Sequence, residues 1–348
     1  MPDQSVPERV AVLAGVYRSA QESLIRLIAT KEARGSVATY QKRILEQVER
    51  KLRELDRYAA EWVNSAVPVF YSAGWDSVHD ALKRAGLAGV KPPIDDRAVR
   101  ILIDNTYMDL FEAHRYVGRA INDQVRRAGL EAVTQKVVTG GTVKDAKDAL
   151  IRSLTDRGIT AIRDKRGREI RLDAYAELVA RTTTREATNQ ATIDQLQDLG
   201  YDLVRMSSHA TACAVCIPLE GRVYSISGLD KRFPALSIAM PPPYMTVHPN
   251  CLHVLEPYIE RLDDNVAETI RQSNRAFELS ADEQKRVDTY KRHQDARRRM
   301  RQDRLQWERY RTTLPNDTPK TFSGFRRSKR SGSALWQRLE SAYRAARQ

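Results

Sequence analysis

Cysteine is nearly absent from this chain, with three in 348 residues. Three thiols cannot close a set of disulfides, and no early stretch combines a basic start, an apolar run and a small-residue cleavage site. A secreted, disulfide-framed protein is therefore not expected. Long apolar runs are missing too. A spanning helix needs about 20 consecutive apolar residues, whereas segments such as Ala66 to Trp75 are short and interrupted by Pro68 and Gly74. The expectation is a soluble chain with no membrane partner. Phosphate-cradling glycine loops, nucleophile elbows and two-histidine zinc helices are absent as well, so the common marks of catalysis are missing and a non-enzymatic protein is expected.

What is there is globular in composition, 41% hydrophobic and 30% charged, and long enough for two or three domains. The formal net charge of +13 is unevenly placed. Residues 281–348 carry 19 Lys and Arg against 8 Asp and Glu, a net +11, which leaves 39 against 37, a net +2, for residues 1–280. The body is close to neutral and the C-terminal fifth is a basic, helix-like arm. Lys291, Arg292, Arg297, Arg298, Arg299, Arg326, Arg327, Lys329 and Arg330 lie there, with Trp307, Tyr310, Phe322, Phe325, Trp336 and Tyr343 interleaved. Phosphate contacts with aromatic stacking partners make a salt-dependent nucleic-acid arm. A charged, solvated helix that docks on an acidic protein surface fits the same residues.

Periodicity predicts a mainly α fold with a small α+β module. Leu13, Val16, Ala20, Leu24 and Leu27 mark one helical face, and Gly35-Ser36 offers a stop and a cap. Ile44, Val48, Leu52, Leu55, Ala59 and Trp62 mark a second, so the two helices predict a hairpin. Helical patterning continues to about Leu154, with breaks expected at Pro68, Gly74, Gly86 to Pro93 and Gly140-Gly141, and with Asp95 or Asp96 as a cap. Residues 159–172 read as a hairpin turning at Gly167, Asp173 as the cap of a helix stopped by Gly200, and Val204 to Ser208 as a strand leading to His209.

All three cysteines and three of six histidines fall between His209 and His253. Cys213-Ala-Val-Cys216 is a two-residue-spaced thiolate pair, and His248-Pro-Asn-Cys251 repeats the spacing. Together they offer Cys213, Cys216, His248 and Cys251 as a closed tetrahedral shell for a structural Zn²⁺, with His209 or His253 as a substitute ligand or as a donor to one. The 31 residues between the pairs are more than a short zinc finger uses. Two other readings share these residues: reduced buried thiols among satisfied histidines, and a catalytic Cys–His pair. Glu220, Asp230 and Glu256 are the nearby acids, at no spacing typical of a metal-dependent nuclease.

The ordered run Arg166-Gly167, Asp173-Ala174-Tyr175, Arg181-Thr182-Thr183, Ala187-Thr188-Asn189, Cys213 to Cys216, Gly221-Arg222-Val223-Tyr224 and His248-Pro-Asn-Cys251-Leu-His253 resembles the minor capsid, head-morphogenesis proteins of tailed bacteriophages related to the F protein of phage Mu. Tyr71-Ser-Ala-Gly74 fits a helix end common in that family, and Leu252 stands where the family has Arg. The resemblance implies a virion component assembled in the bacterial host cytoplasm. It implies portal and major capsid or scaffold proteins as partners, with double-stranded phage DNA within reach of the basic arm. A zinc-dependent nuclease or effector delivered with the DNA is the alternative, and a free DNA-binding protein a third reading. The expected organisation is a helical docking region over residues 1–141, a core with the Cys/His cluster over 142–262, and the basic helical arm over 263–348.

Overall fold

Helix dominates the computed structural model, which describes residues 5–29, 37–87, 93–139, 161–163, 169–209, 212–241, 245–249 and 251–346. Three long helices come first: α1 (Val6–Ala29), α2 (Val37–Arg84) and α3 (Asp96–Thr139). Short strands β1 (Ala161–Arg163) and β2 (Glu169–Arg171) pair with each other, and α4 (Leu172–Asp198) follows without a loop. A three-stranded antiparallel sheet has the order β4 (Val223–Ser225), β3 (Leu203–Met206), β5 (Leu255–Pro257), with α5 (Leu236–Ala239) between β4 and β5 in the chain. Four further helices are α6 (Val266–Ser273), α7 (Ala281–Thr313), α8 (Phe322–Ser331) and α9 (Ala334–Ala345). The fold is mainly α with a small sheet module, as the sequence predicts.

The chain forms two compact units: Met1–Arg18 with Glu54–His114 and Ile170–Lys291, and Ser19–Arg53 with Arg115–Glu169 and Arg292–Gln348. In the first, Trp62, Val63, Ala66, Val67, Phe70 and Tyr71 of α2 are buried. Trp62 donates its indole N–H to the Arg9 carbonyl of α1 at 3.1 Å, and Tyr71 donates its hydroxyl to Asp194 of α4 at 2.7 Å. Gly74 lies where α2 meets α4: a Cβ there would stand 2.1 Å from the Thr188 carbonyl oxygen. The sheet splits its side chains by the two-residue pleat. Val204 and Met206 pack with Val78, Leu82, Ile193 and Leu196, while Leu203 packs with Val223, Phe233 and Tyr258.

Several sequence expectations change. Helix α2 runs through both Pro68 and Gly74, and Gly74 is interior to it rather than at a helix end. An interior proline costs about 3 kcal/mol; the fully buried residues on either side of Pro68 supply the tertiary packing that overrides it. The break after Arg84 is present, with Gly86 at φ 68, and Asp95 accepts from the Arg97 and Ala98 N–H groups to start α3. Asp173 is not the cap. Strand β2 runs straight into α4 with Arg171 at the cap position, and Asp173 sits in the first turn, paired with Arg171 at 3.1 Å and Arg18 at 3.3 Å. Gly35-Ser36, Gly140-Gly141, Val143 to Leu154 and Gly167 lie outside the described residues.

Candidate metal centre

The first Cys pair is placed by the β3–β4 connection. After Met206 the chain leaves the sheet and turns at Cys213, whose carbonyl accepts from the N–H groups of Cys216 and Ile217. A short 3-10 turn, Ile217–Leu219, carries it to Gly221, which adopts φ 71 and returns its N–H to the Met206 carbonyl at 2.9 Å. Only glycine takes that φ at no steric cost. The next residue, Arg222, is 1% exposed. Its guanidinium donates to the carbonyls of Ser273, Arg275 and Ala276 at 3.0, 2.5 and 2.8 Å and lies over the Phe277 ring, so it satisfies the last carbonyl of α6 and two carbonyls of the segment that follows it.

The second pair is held by Asn189 of α4. Its side-chain amide donates to the Met245 carbonyl at 2.6 Å and accepts the Leu255 N–H at 2.8 Å, gripping the chain on both sides of His248-Pro-Asn-Cys251. Cys251 returns its N–H to the His248 carbonyl, the same turn that Cys216 makes to Cys213.

The two turns bring their ligand atoms together. His248 Nε2 lies 3.2 Å from Cys213 Sγ and 3.1 Å from Cys216 Sγ, and Cys216 Sγ lies 3.8 Å from Cys251 Sγ. Tetrahedral zinc with ordinary bond lengths places sulfurs about 3.8 Å apart and sulfur and nitrogen about 3.5 Å apart. Among the described residues, two three-ligand groups share Cys216, namely Cys213, Cys216 and His248, and Cys216, Cys251 and His253; no group holds all four of Cys213, Cys216, His248 and Cys251, so Cys251 joins the first group through Cys216 alone. His248 is also oriented to bind: its Nδ1 donates to the Pro249 carbonyl at 2.8 Å, which turns Nε2 toward the thiols.

Electrostatics point the same way. The hydrogen bond with Cys216, with help from His248, pulls Cys213 down to about 3, and the bond with Cys216 likewise lowers Cys251 to about 4. Cys216 keeps its proton, because it stands between those two sulfurs and is buried. The bond to Cys213 pushes His248 up to about 9 despite burial. Two thiolates beside one buried thiol are a site that attracts a thiophilic cation.

His253 and His209 form the next layer. His253 Nδ1 lies 3.3 Å from Cys251 Sγ, and its Nε2 lies 2.7 Å from Glu220 Oε1. The His209 ring meets that of His253 edge-on at 4.7 Å and reaches Ser207 Oγ at 3.2 Å. Glu220 accepts the His209 backbone N–H at 3.0 Å and the Arg286 guanidinium at 2.6 Å, so both carboxylate oxygens are occupied. Burial alone would raise Glu220; these donors lower it instead. Glu220 and Arg286 were not candidate site residues in the sequence. The one local mark of Glu220 is the Glu-Gly-Arg turn that follows Cys216, and Arg286 has none.

The nine basic residues differ in exposure. Lys291, Arg292, Arg297, Arg298 and Arg299 are exposed on α7, and Arg327 and Arg330 on α8. Arg326 and Lys329 are half-buried and bind Asp303 at 3.2 and 2.7 Å. The aromatic residues are not stacking platforms. Trp307, Tyr310, Phe325, Leu339 and Tyr343 are buried together, with Phe322 and Trp336 packed against them. Their spacing of three and seven along α7 and α9 marks a core face.

Comparison with known proteins adds the remaining information. Residues 3–321 match the profile of the family described as phage minor capsid protein 2. The chain is 30% identical over 144 residues to a protein of Lactococcus phage LL-H described as a structural protein, a match that covers 38% of this chain and 38% of that one. The match thus spans well under half of that relative's length. No solved structure matches.

Proposed function

The chain belongs to the phage minor capsid protein 2 family, and from that premise we propose that it is a structural component of a tailed-phage head, acting at or near the portal in head assembly. The family match over nearly the whole chain carries this reading. Portal and major capsid or scaffold proteins are its partners in the proposal, and the packaged duplex meets the exposed cations of α7 and α8. The Cys/His module holds a structural Zn²⁺ through Cys213, Cys216, His248 and Cys251, while His253 supports Cys251 from behind. The Cys213–Cys216–His248 group, the 3.8 Å Cys216–Cys251 spacing and the orientation of His248 support the metal; when bound, it would cross-link two turns that share little apolar core.

The proposal is non-catalytic. A hydrolytic centre needs a base with a free face, and the one carboxylate at the cluster, Glu220, has both oxygens bound. Proteomics and cryo-EM of intact heads test the placement: the chain is expected in purified heads with density at the portal vertex, and its absence from virions and procapsids overturns the reading. Plasmid nicking across divalent metals, abolished by His248→Ala, would establish the nuclease alternative instead. For DNA contact, reversing Arg297, Arg298 and Arg299 to Glu is expected to weaken duplex binding and to flatten its salt dependence by about 0.9 in log–log slope per lost phosphate contact.

A further inference from the structure

The metal centre is built onto the root of α7. Val287, 1% exposed, shares an apolar cluster with Ala212, Cys216, Ile217 and Cys251, and Leu279 packs against the same group. The residue preceding Val287, Arg286, donates to the His209 carbonyl at 2.5 Å and to Glu220 Oε2 at 2.6 Å. Glu220 passes the connection to His253 at 2.7 Å, and His253 to Cys251 Sγ at 3.3 Å. Three charged or polar contacts therefore run without a gap from Cys251 of the metal cluster to the first turns of α7.

From this juxtaposition we propose that metal occupancy latches the start of α7 to the module: zinc fixes Cys216 and Cys251, and through them Glu220 and His253, as the docking surface for Arg286 and Val287. The inference rests on the metal reading above and adds a regulated element to it. The physical reason is the weakness of the surface without a cross-link. Only five buried side chains make up its apolar part, Val287 among them. Glu220 follows Cys216 by four residues and His253 follows Cys251 by two, so each is anchored by the sheet on one side and depends on its cysteine on the other. The α7 start has its own supports, the Ser280 and Glu283 capping pair and the Arg275–Glu283 ion pair at 2.5 Å. Loss of the latch therefore loosens residues 281–291 without dissolving the helix. The basic residues from Lys291 onward continue directly from this segment.

Hydrogen exchange on the full chain, with elemental analysis of zinc, tests this. The zinc-loaded protein is expected to protect peptides within 281–291, and chelation to speed their exchange roughly tenfold or more, the scale of losing a charge-assisted hydrogen bond. Strands β3 and β4 are expected to change little. Arg286→Ala is expected to keep about one zinc per chain while 281–291 exchanges quickly even when loaded, which separates latch from metal. A chain that binds no zinc overturns the metal reading and this inference with it. A chain that binds zinc and shows equal protection of 281–291 with and without it overturns the latch alone. So does a rise on chelation spread uniformly across the sheet.

Discussion

The helical layer of the first unit and its Cys/His module each bury a histidine against a carboxylate, and the two histidines respond in opposite directions. His114 is 3% exposed, with Nδ1 2.5 Å from Asp56 and Nε2 2.7 Å from the Tyr17 hydroxyl. His253 is 2% exposed, between Glu220 and Cys251. Burial penalises the charged ring in both. At His114 burial wins over its one charged partner, Asp56, and the pKa falls; the neutral ring still satisfies both neighbours, donating from Nδ1 to Asp56 and accepting the Tyr17 hydroxyl at Nε2. At His253 burial loses to two acceptors, a thiol sulfur and a carboxylate, and the pKa rises to about 9. The second partner decides the charge. The same contrast runs through the two regions: the helical layer is held mainly by apolar packing with a few polar bonds, the module by charged groups around a sparse core.

Removing the metal should separate them most widely. Structural zinc in small peptides contributes roughly 10–16 kcal/mol of apparent folding free energy, so chelation or Cys251→Ser is expected to open residues 212–222 and 245–254 while α2 and α4 keep their protection. Exchange spreading equally into Trp62 to Tyr71 would break the distinction. Next in size is Arg222→Ala, expected to cost about 3 kcal/mol or more, since it strands three backbone carbonyls at and just beyond the end of α6. Denaturant unfolding of the zinc-loaded chain reads this; a loss under about 1 kcal/mol would mean that the module leans less on charge than its contacts imply. Gly74→Ala probes the other region. The added Cβ meets a backbone oxygen that cannot rotate away, so about 2 kcal/mol of destabilisation is expected from forcing α2 and α4 apart. An unchanged midpoint would show that the helical layer is looser than its close approach suggests.

These features differ in how plainly the sequence carries them. Cys213 to Cys216 and His248 to Cys251 can be read directly, because a ligand pair on one turn is a local spacing. The network around them cannot. Asn189, Glu220 and Arg286 come from a helix, a turn and a distant helix, and none has a local pattern that announces its partner. The layer shows the reverse difficulty. Pro68 and Gly74 are helix breakers by local preference, yet one is overridden by burial on both sides and the other is the residue that lets two helices touch. In the C-terminal region, aromatics among cations suit stacking on bases as well as a small helical core. Only the spacing of Trp307, Tyr310 and Leu314, and of Trp336, Leu339 and Tyr343, favours the core.

The smallest expected effect is also the one most specific to the histidine contrast. The folded pKa of His114 lies below the ordinary value, so the unfolded chain takes up a proton near pH 6.5 while the folded one stays neutral. The stability that this site contributes is therefore fully present above pH 6.5 and is lost as pH falls below it toward the folded pKa. Other groups titrate in the same range, so the comparison must be made against His114→Gln, which keeps a polar side chain but carries no proton. The difference in unfolding free energy between the two proteins should narrow from pH 7 to pH 5.5, with a slope no steeper than one proton's worth, about 1.4 kcal/mol per pH unit. Parallel curves would mean that His114 takes its proton in the folded protein too. Asp56 would then set its charge, as Glu220 and Cys251 together set that of His253, and the Tyr17 hydroxyl would have to turn away from Nε2.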